Sequence, residues 1–147
     1  MLRDSQTIGT MAHVIQLSVA PVFLLTAIGT MLSVMTNRLA RIIDRARFYE
    51  AKLEGASPEA VPKLHASLAT LSRRADLIGH AIFLSTSTAL LVCAVIALLF
   101  LGDYLRYDMS IPIAFLFILA MLLLVIGLIC FLREVFIAKG SLRIGPN

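Results

Sequence analysis

The sequence predicts an all-α membrane protein with three transmembrane helices, in which helices 1 and 2 extend into a cytoplasmic antiparallel helical hairpin. Of its 147 residues, 59% are hydrophobic and 15% are charged, whereas soluble domains average about 45–50% apolar and about 25% charged residues. Three apolar stretches reach the roughly 20 residues that a helix needs to cross the hydrocarbon core. The basic residues cluster beside these stretches, which is where membrane proteins carry them.

The predicted boundaries divide a single membrane unit, residues 1–147, into five segments. A long polar insert separates the first two spans, and a tight connection, in which Ser110 is the expected helix cap, separates the last two. The segments are transmembrane helix 1 (11–36), the helical hairpin (37–79), transmembrane helix 2 (78–101), transmembrane helix 3 (111–132) and a cytoplasmic tail (133–147).

The distribution of basic residues predicts the orientation. Eleven of the 13 lysines and arginines lie in the insert or the C-terminal tail, and only Arg3 and Arg106 lie on the other side. Because cytoplasmic loops carry the excess of basic residues, we expect the N-terminus outside and the hairpin and C-terminus in the cytoplasm. The formal charge of +4 is therefore expected to meet anionic lipid headgroups of the bilayer, and not nucleic acid.

The polar insert contains two apolar repeats with the alternating spacing of a heptad seam. The stretch EGASPEAVP separates them, and Pro62 moves the expected start of the second arm to about Val61. Two arms that fold back on each other would pair the repeats along one seam. The first repeat is Leu39, Ile42, Ala46, Tyr49 and Leu53, and the second is Leu64, Leu68, Leu71, Ala75 and Ile78. Ile43 and Phe48 fall off this seam, so we expect them to contact another subunit or the membrane surface.

A polar stripe distinguishes the first span. Polar groups in a membrane are costly and usually face a bundle interior or a water-filled path. The stripe therefore predicts either the lining of a pore or hydrogen-bonded helix packing in a closed bundle. Its members are Thr26, Gly29, Thr30, Ser33 and Asn37, and at the membrane exit they are followed by Arg38, Arg41, Asp44 and Arg45, as a cytoplasmic mouth or a lipid-headgroup contact.

The other two spans predict packing roles. The second span carries a small residue every four positions, which lets helix backbones approach closely in lipid. These residues are Ala81, Ser85, Ala89, Cys93 and Ala97. The third span has no charged or strongly polar side chain, so we expect it to face lipid.

No constellation of residues predicts enzyme activity. The three histidines, His13, His65 and His80, lack the spacing to cysteine or carboxylate partners that a metal site needs. No nucleophile stands with a base and an oxyanion donor. Glu134 lies beside Arg133 and is expected to pair or to reach the interface, not to act as an acid. We therefore expect no cofactor and no metal.

Residues 20–47, APVFLLTAIGTMLSVMTNRLARIIDRAR, combine a membrane proline, small and hydroxyl residues, and the motif N-R-L-x-R-x-x-D-R-x-R. This segment resembles a bacterial membrane-protein family catalogued as domain of unknown function 2721. The similarity continues through the hairpin to FLREVFIA, residues 131–138. The resemblance implies three spans in a bacterial inner (cytoplasmic) membrane, and it implies no activity.

Two functions stay open on the sequence alone. Three helices leave no room for a solvated conduit, so conduction of ions requires a homo-oligomer with the first helix at its centre. The first hypothesis is a homo-oligomeric ion channel or pore lined by transmembrane helix 1. The alternative is a non-conducting scaffold or regulatory subunit that presents its cytoplasmic hairpin to a partner or to anionic lipid.

Overall fold

The computed structural model describes residues 2–140, with side chains from Ile8 onward. These residues form three α-helices, α1 (Leu2–Leu53), α2 (Val61–Leu105) and α3 (Ser110–Gly140). All three are long and apolar enough to cross a membrane, and no strand occurs within residues 2–140. The predicted class, an all-α integral membrane protein with three spanning helices, is confirmed.

The helices are longer than the spans alone. α1 continues through Pro21 and out of the predicted first span into the polar insert. α3 passes its predicted end at Leu132 and runs to Gly140, so the described part of the predicted tail is helical. Residues 141–147, which include Arg143, lie outside the described part of the chain.

A short turn joins α1 to α2. The amides of Ala60 and Val61 donate to the carbonyl of Ser57, with N–O distances of 2.9 and 3.3 Å. α2 begins at Val61, as the sequence predicts. Pro62 then lies in the first helical turn. Amides there have no intrahelical acceptor, so the lack of an N–H in proline costs no hydrogen bond.

A left-handed cap ends α2. The amide of Tyr107 donates to the Gly102 carbonyl at 3.2 Å, and the amide of Arg106 donates to the Asp103 carbonyl at 3.3 Å. These two bonds form a Schellman motif, which satisfies carbonyls at the helix end. Arg106 has a φ of 54°, a conformation that glycine adopts more easily.

The side chain that caps α3 belongs to Asp108, and the expectation for Ser110 is wrong. The Asp108 carboxylate accepts hydrogen bonds from the Ser110 hydroxyl and from the Ser110 amide, the latter at 3.0 Å. These bonds, the hydroxyl's first, lower the pKa of Asp108 below its ordinary value. Because the charged form is favoured, the cap is present above that ordinary value and is lost as the pH falls through the lowered pKa.

The chain divides into two compact units. The first comprises the described residues up to Met31 together with Ser85–Val125, and the second comprises Leu32–Leu84 with the described residues from Ile126. In the first unit, Val92 and Ala120 are fully buried. There the hydroxyl of Thr88 on α2 donates to the Ala120 carbonyl on α3 at 3.3 Å.

The second unit has an apolar core cluster built around three buried side chains. Ile42, Leu71 and Ile78 form its centre. Residues of both predicted repeats take part, so the end of α1 and the start of α2 share one core. The side chains packed against the centre are Leu39, Ala46, Tyr49, Ala75, Ile82 and Phe131.

A seven-residue interval sets the buried faces of α1 and α3. On α1 the buried positions at this interval are Val14, Pro21, Ile28, Met35 and Ile42. On α3 they are Ala120, Gly127 and Glu134. Each interval of seven residues returns to within about 20° of the same direction around a helix, so consecutive members share one local face. The rest of α3 exposes large apolar side chains, so α3 has one packed strip and a broad face suited to lipid.

The two neighbouring isoleucines of α1 provide a test of the core cluster. Ile42 is 4% exposed and Ile43 is 40% exposed. We expect Ile42→Ala to destabilise the protein by roughly 2–5 kcal/mol, because it leaves a cavity in the core. Ile43→Ala is the matched control and should change stability by no more than about 0.5 kcal/mol. Unfolding of the purified protein in detergent measures both, and equal losses would contradict the described burial.

Candidate functional site

Glu134 is the one charged side chain that is fully buried within the described residues. Two guanidinium groups contact it. Nη2 and Nε of Arg74 donate to Oε1 at 2.9 and 3.1 Å, and Nη2 of Arg38 lies 3.0 Å from Oε2. Arg38 belongs to α1, Arg74 to α2 and Glu134 to α3. We call Arg38, Arg74 and Glu134 the ion triad; it connects the three helical segments of the second unit.

Local sequence explains how the triad comes together. Arg38 and Arg74 each stand one residue before a member of the core cluster, Leu39 and Ala75. Glu134 occupies the last seven-residue position of the buried strip on α3. Packing of the core cluster therefore brings both arginines up to a position on α3 where a carboxylate replaces an apolar side chain.

Arg38 is held from a second direction by an aromatic ring. Its guanidinium carbon lies 5.5 Å from the centroid of the Phe131 ring, which is within the range of a cation–π contact. The Arg38 side chain is 34% exposed, whereas that of Arg74 is 12% exposed. Water screens the contact with Arg38 more strongly, so the pair with Arg74 contributes the larger part of the stabilisation.

The two oxygens of Glu134 differ in their hydrogen bonding. Oε1 accepts two bonds from Arg74, whereas Oε2 accepts none from the described residues. The Arg38 contact to Oε2 has the distance of an ion pair without the alignment of a hydrogen bond. A buried charge is costly unless it is paired, and the two cations offset that cost here. The triad has a formal charge of +1 and leaves most guanidinium N–H groups of Arg38 and Arg74 unused.

Sequence reasoning did not identify this triad. It associated Glu134 with the adjacent Arg133, which is exposed, and the structure pairs Glu134 with Arg38 and Arg74 instead. One sequence feature could have indicated that Glu134 is buried: it lies seven residues after Gly127 and fourteen after Ala120, on the same strip of small residues. Neither arginine is identifiable as its partner without the packing of the helices.

The predicted polar stripe is exposed on the single chain. The hydroxyl groups of Thr26 and Thr30 donate to the carbonyls of Val22 and Thr26 on their own helix, at 3.3 and 3.1 Å. Within the described residues, the stripe is therefore not buried against another helix. The exposed members are Thr26, Gly29, Thr30, Ser33 and Asn37.

The charged residues predicted at the membrane exit separate into two groups. Arg38 joins the ion triad, whereas Arg41, Asp44 and Arg45 are exposed. Among the described residues, no ion pair joins Asp44 to Arg41 or to Arg47. The arginines of this segment therefore have different structural roles despite their closeness in sequence.

The predicted row of small residues on α2 is buried only at one end. Ala81 and Ser85 are fully buried, Ala89 is half-buried, and Cys93 and Ala97 are exposed. In a helix with 3.6 residues per turn, each step of four residues rotates the row by about 40°, so the row leaves the packed face. From Ile78 onward, the buried side chains of α2 follow alternating steps of three and four instead: Ile78, Ala81, Ser85, Thr88, Val92 and Val95.

The family model of a protein of unknown function, DUF2721, matches residues 18–144. The chain belongs to the DUF2721 family. The matched region includes all of α2 and α3 and every member of the ion triad. No curated protein and no solved structure matches the chain.

Substitution of Glu134 tests whether the triad stabilises this DUF2721 protein. We expect Glu134→Gln to destabilise it by roughly 3–5 kcal/mol, because two partly buried arginines lose their shared counter-charge. Glu50→Gln is the matched control, since Glu50 is an exposed carboxylate on α1 without an ion pair among the described residues. Thermal unfolding in detergent compares the two variants. Identical melting temperatures would show that the triad is not a stabilising contact.

Proposed function

We propose that this protein is a homo-oligomeric ion channel or pore in which α1 faces the shared axis. The observation that supports this most strongly is the exposure of the polar stripe on the single chain. Polar groups inside a membrane usually face other helices or water. In a single copy, no other helix of the described residues covers the stripe. Closed symmetry would bring the stripes of several copies to one axis, where they meet water or one another.

The exposed face of α1 would divide such a pore into two zones. Towards the N-terminus, Ile15, Val19 and Val22 are exposed and precede Thr26 at helical spacing. Hydroxyl and amide side chains follow from Thr26 to Asn37. An apolar constriction gates by losing its water, whereas polar side chains support a hydrated path. The apolar zone is therefore the proposed gate, on the outer side if the N-terminus lies outside.

The charged residues that follow the stripe on α1 indicate which ions the proposed pore would prefer. Arg41, Asp44 and Arg45 are exposed after the polar zone, and together they carry a formal charge of +1 in each subunit. Rings of arginine at a pore mouth attract anions and repel small cations. We therefore propose a preference for anions, which Asp44 reduces.

Conductance measurements test the channel. Purified protein in planar bilayers should conduct, and Ser33→Leu or Asn37→Leu should lower the single-channel conductance several-fold, because a bulky apolar side chain replaces a polar one on the lining. Ala27→Leu is the matched control, since Ala27 is exposed on α1 and lies about 100° from Thr26 around the helix; its conductance should stay unchanged. Silence of the wild-type protein at every voltage, pH and membrane tension would refute conduction.

A second candidate function is a non-conducting scaffold that presents the hairpin to another protein. Two exposed apolar side chains on α1 favour it, Ile43 and Phe48, because neither is a member of the core cluster. If the scaffold is correct, the full-length protein in detergent should capture one specific partner, and Phe48→Ser should abolish the capture. Arg47→Gln, a neighbouring exposed position, should retain it. Capture that Phe48→Ser leaves intact would exclude this surface.

A further inference from the structure

A cavity of about 500 Å³ in the second unit is lined by four arginines. Arg38, Arg41 and Arg45 come from α1, and Arg74 comes from α2. Ile42 and Leu71 contribute apolar walls. The volume falls within the range of about 300–1,000 Å³ that small-molecule sites occupy. We call this space the arginine cavity.

The charge of the arginine cavity is not balanced by its own lining. No carboxylate is among the lining residues of the described chain. Glu134 contacts Arg38 and Arg74 but is fully buried, so it neutralises one of four positive charges. Arg41 and Arg45 have no ion pair among the described residues. Like charges that converge on one space repel, and an anion relieves that repulsion.

The ion triad holds two of the four guanidinium groups in place. Arg74 uses two of its five N–H groups on Glu134, which leaves three for another acceptor. Arg38 is fixed between Glu134 and the Phe131 ring. Donors that are already oriented lose less conformational entropy when a ligand binds, so the buried carboxylate prepares the arginines for an anion.

The donor set indicates which anion fits. Guanidinium groups present planar pairs of N–H donors that match the oxygens of a phosphate group. Several such groups around one space suit an anion with several oxygens and more than one negative charge. A neighbouring cavity of about 240 Å³ shares Arg45 and Arg74 and adds Tyr49, which leaves room for the rest of a phosphorylated molecule.

We propose that Arg38, Arg41, Arg45 and Arg74 form a binding site for a phosphate group, with Glu134 orienting Arg38 and Arg74. The phosphate group belongs either to an anionic lipid headgroup or to a soluble phosphate compound, because both present the same oxygens to the cavity. The site does not depend on conduction, and its test measures binding alone.

The first experiment uses inorganic phosphate and the purified protein in an uncharged detergent. Calorimetry and thermal shift should show binding that sodium chloride at equal ionic strength does not reproduce. Arg41→Gln and Arg45→Gln should each weaken it by about tenfold or more, through loss of charge-assisted hydrogen bonds. Both variants keep the ion triad intact, so the fold is preserved. Arg47→Gln, an exposed arginine of the same helix outside the cavity, should bind as the wild type does.

The second experiment identifies the source of the phosphate group. Phosphatidylcholine nanodiscs with and without phosphatidic acid are compared for lipid retained by the protein and for binding of inorganic phosphate. Displacement of inorganic phosphate by phosphatidic acid supports a lipid headgroup in the site, whereas phosphate binding that the lipid leaves unchanged supports a soluble compound. The proposal is overturned if neither probe binds the wild type more tightly than Arg41→Gln and Arg45→Gln.

Discussion

The ion triad is the constraint on which the second unit depends. A carboxylate without exposed surface requires cations at hydrogen-bonding distance, and Glu134 obtains them from two other helical segments, through Arg38 and Arg74. Sliding α3 by one helical position would move this carboxylate about 1.5 Å along the axis and about 100° around it. Both guanidinium groups would then be out of reach. The triad therefore determines the register of α3 in this unit more strictly than apolar contacts do, because side chains can repack but a buried charge must be paired.

Apolar surface has a different role in this chain from its role in a soluble protein. Lipid is as apolar as leucine, so helices in a membrane associate through close packing and hydrogen bonds. The buried strip of α3 follows this rule, with Ala120 and Gly127 at its seven-residue positions. The hydroxyl of Thr88 donates to the Ala120 carbonyl in the first unit. The large side chains of α3 are mostly exposed, as expected for a helix surrounded by lipid on most sides.

The arginines of the segment after the first span differ in what they do. A topology signal requires only that they be basic and near the membrane. Arg38 is part of the ion triad, whereas Arg41 and Arg45 are exposed without ion pairs among the described residues. Arginines without an ion-pair partner in the described fold are available to bind a ligand, an ion or a lipid headgroup. The polar stripe on the same helix is also not used in the packing of the described residues, because its members are exposed.

The sequence by itself determined the class of fold, the three spans, the start of α2 at Val61 and seven of the nine residues of the core cluster, all except Ile82 and Phe131. Hydropathy and periodicity are local properties, and for these features they are sufficient. Only the tertiary structure decided which charges meet. Glu134 is 60 residues from Arg74 in the sequence and still further from Arg38, so no local spacing joins them. The structure also decided which of the small residues spaced four apart on α2 are buried. With 3.6 residues per turn, such a row rotates out of the packed face. Pairing across helices depends on their register, and register is a property of the packed chain.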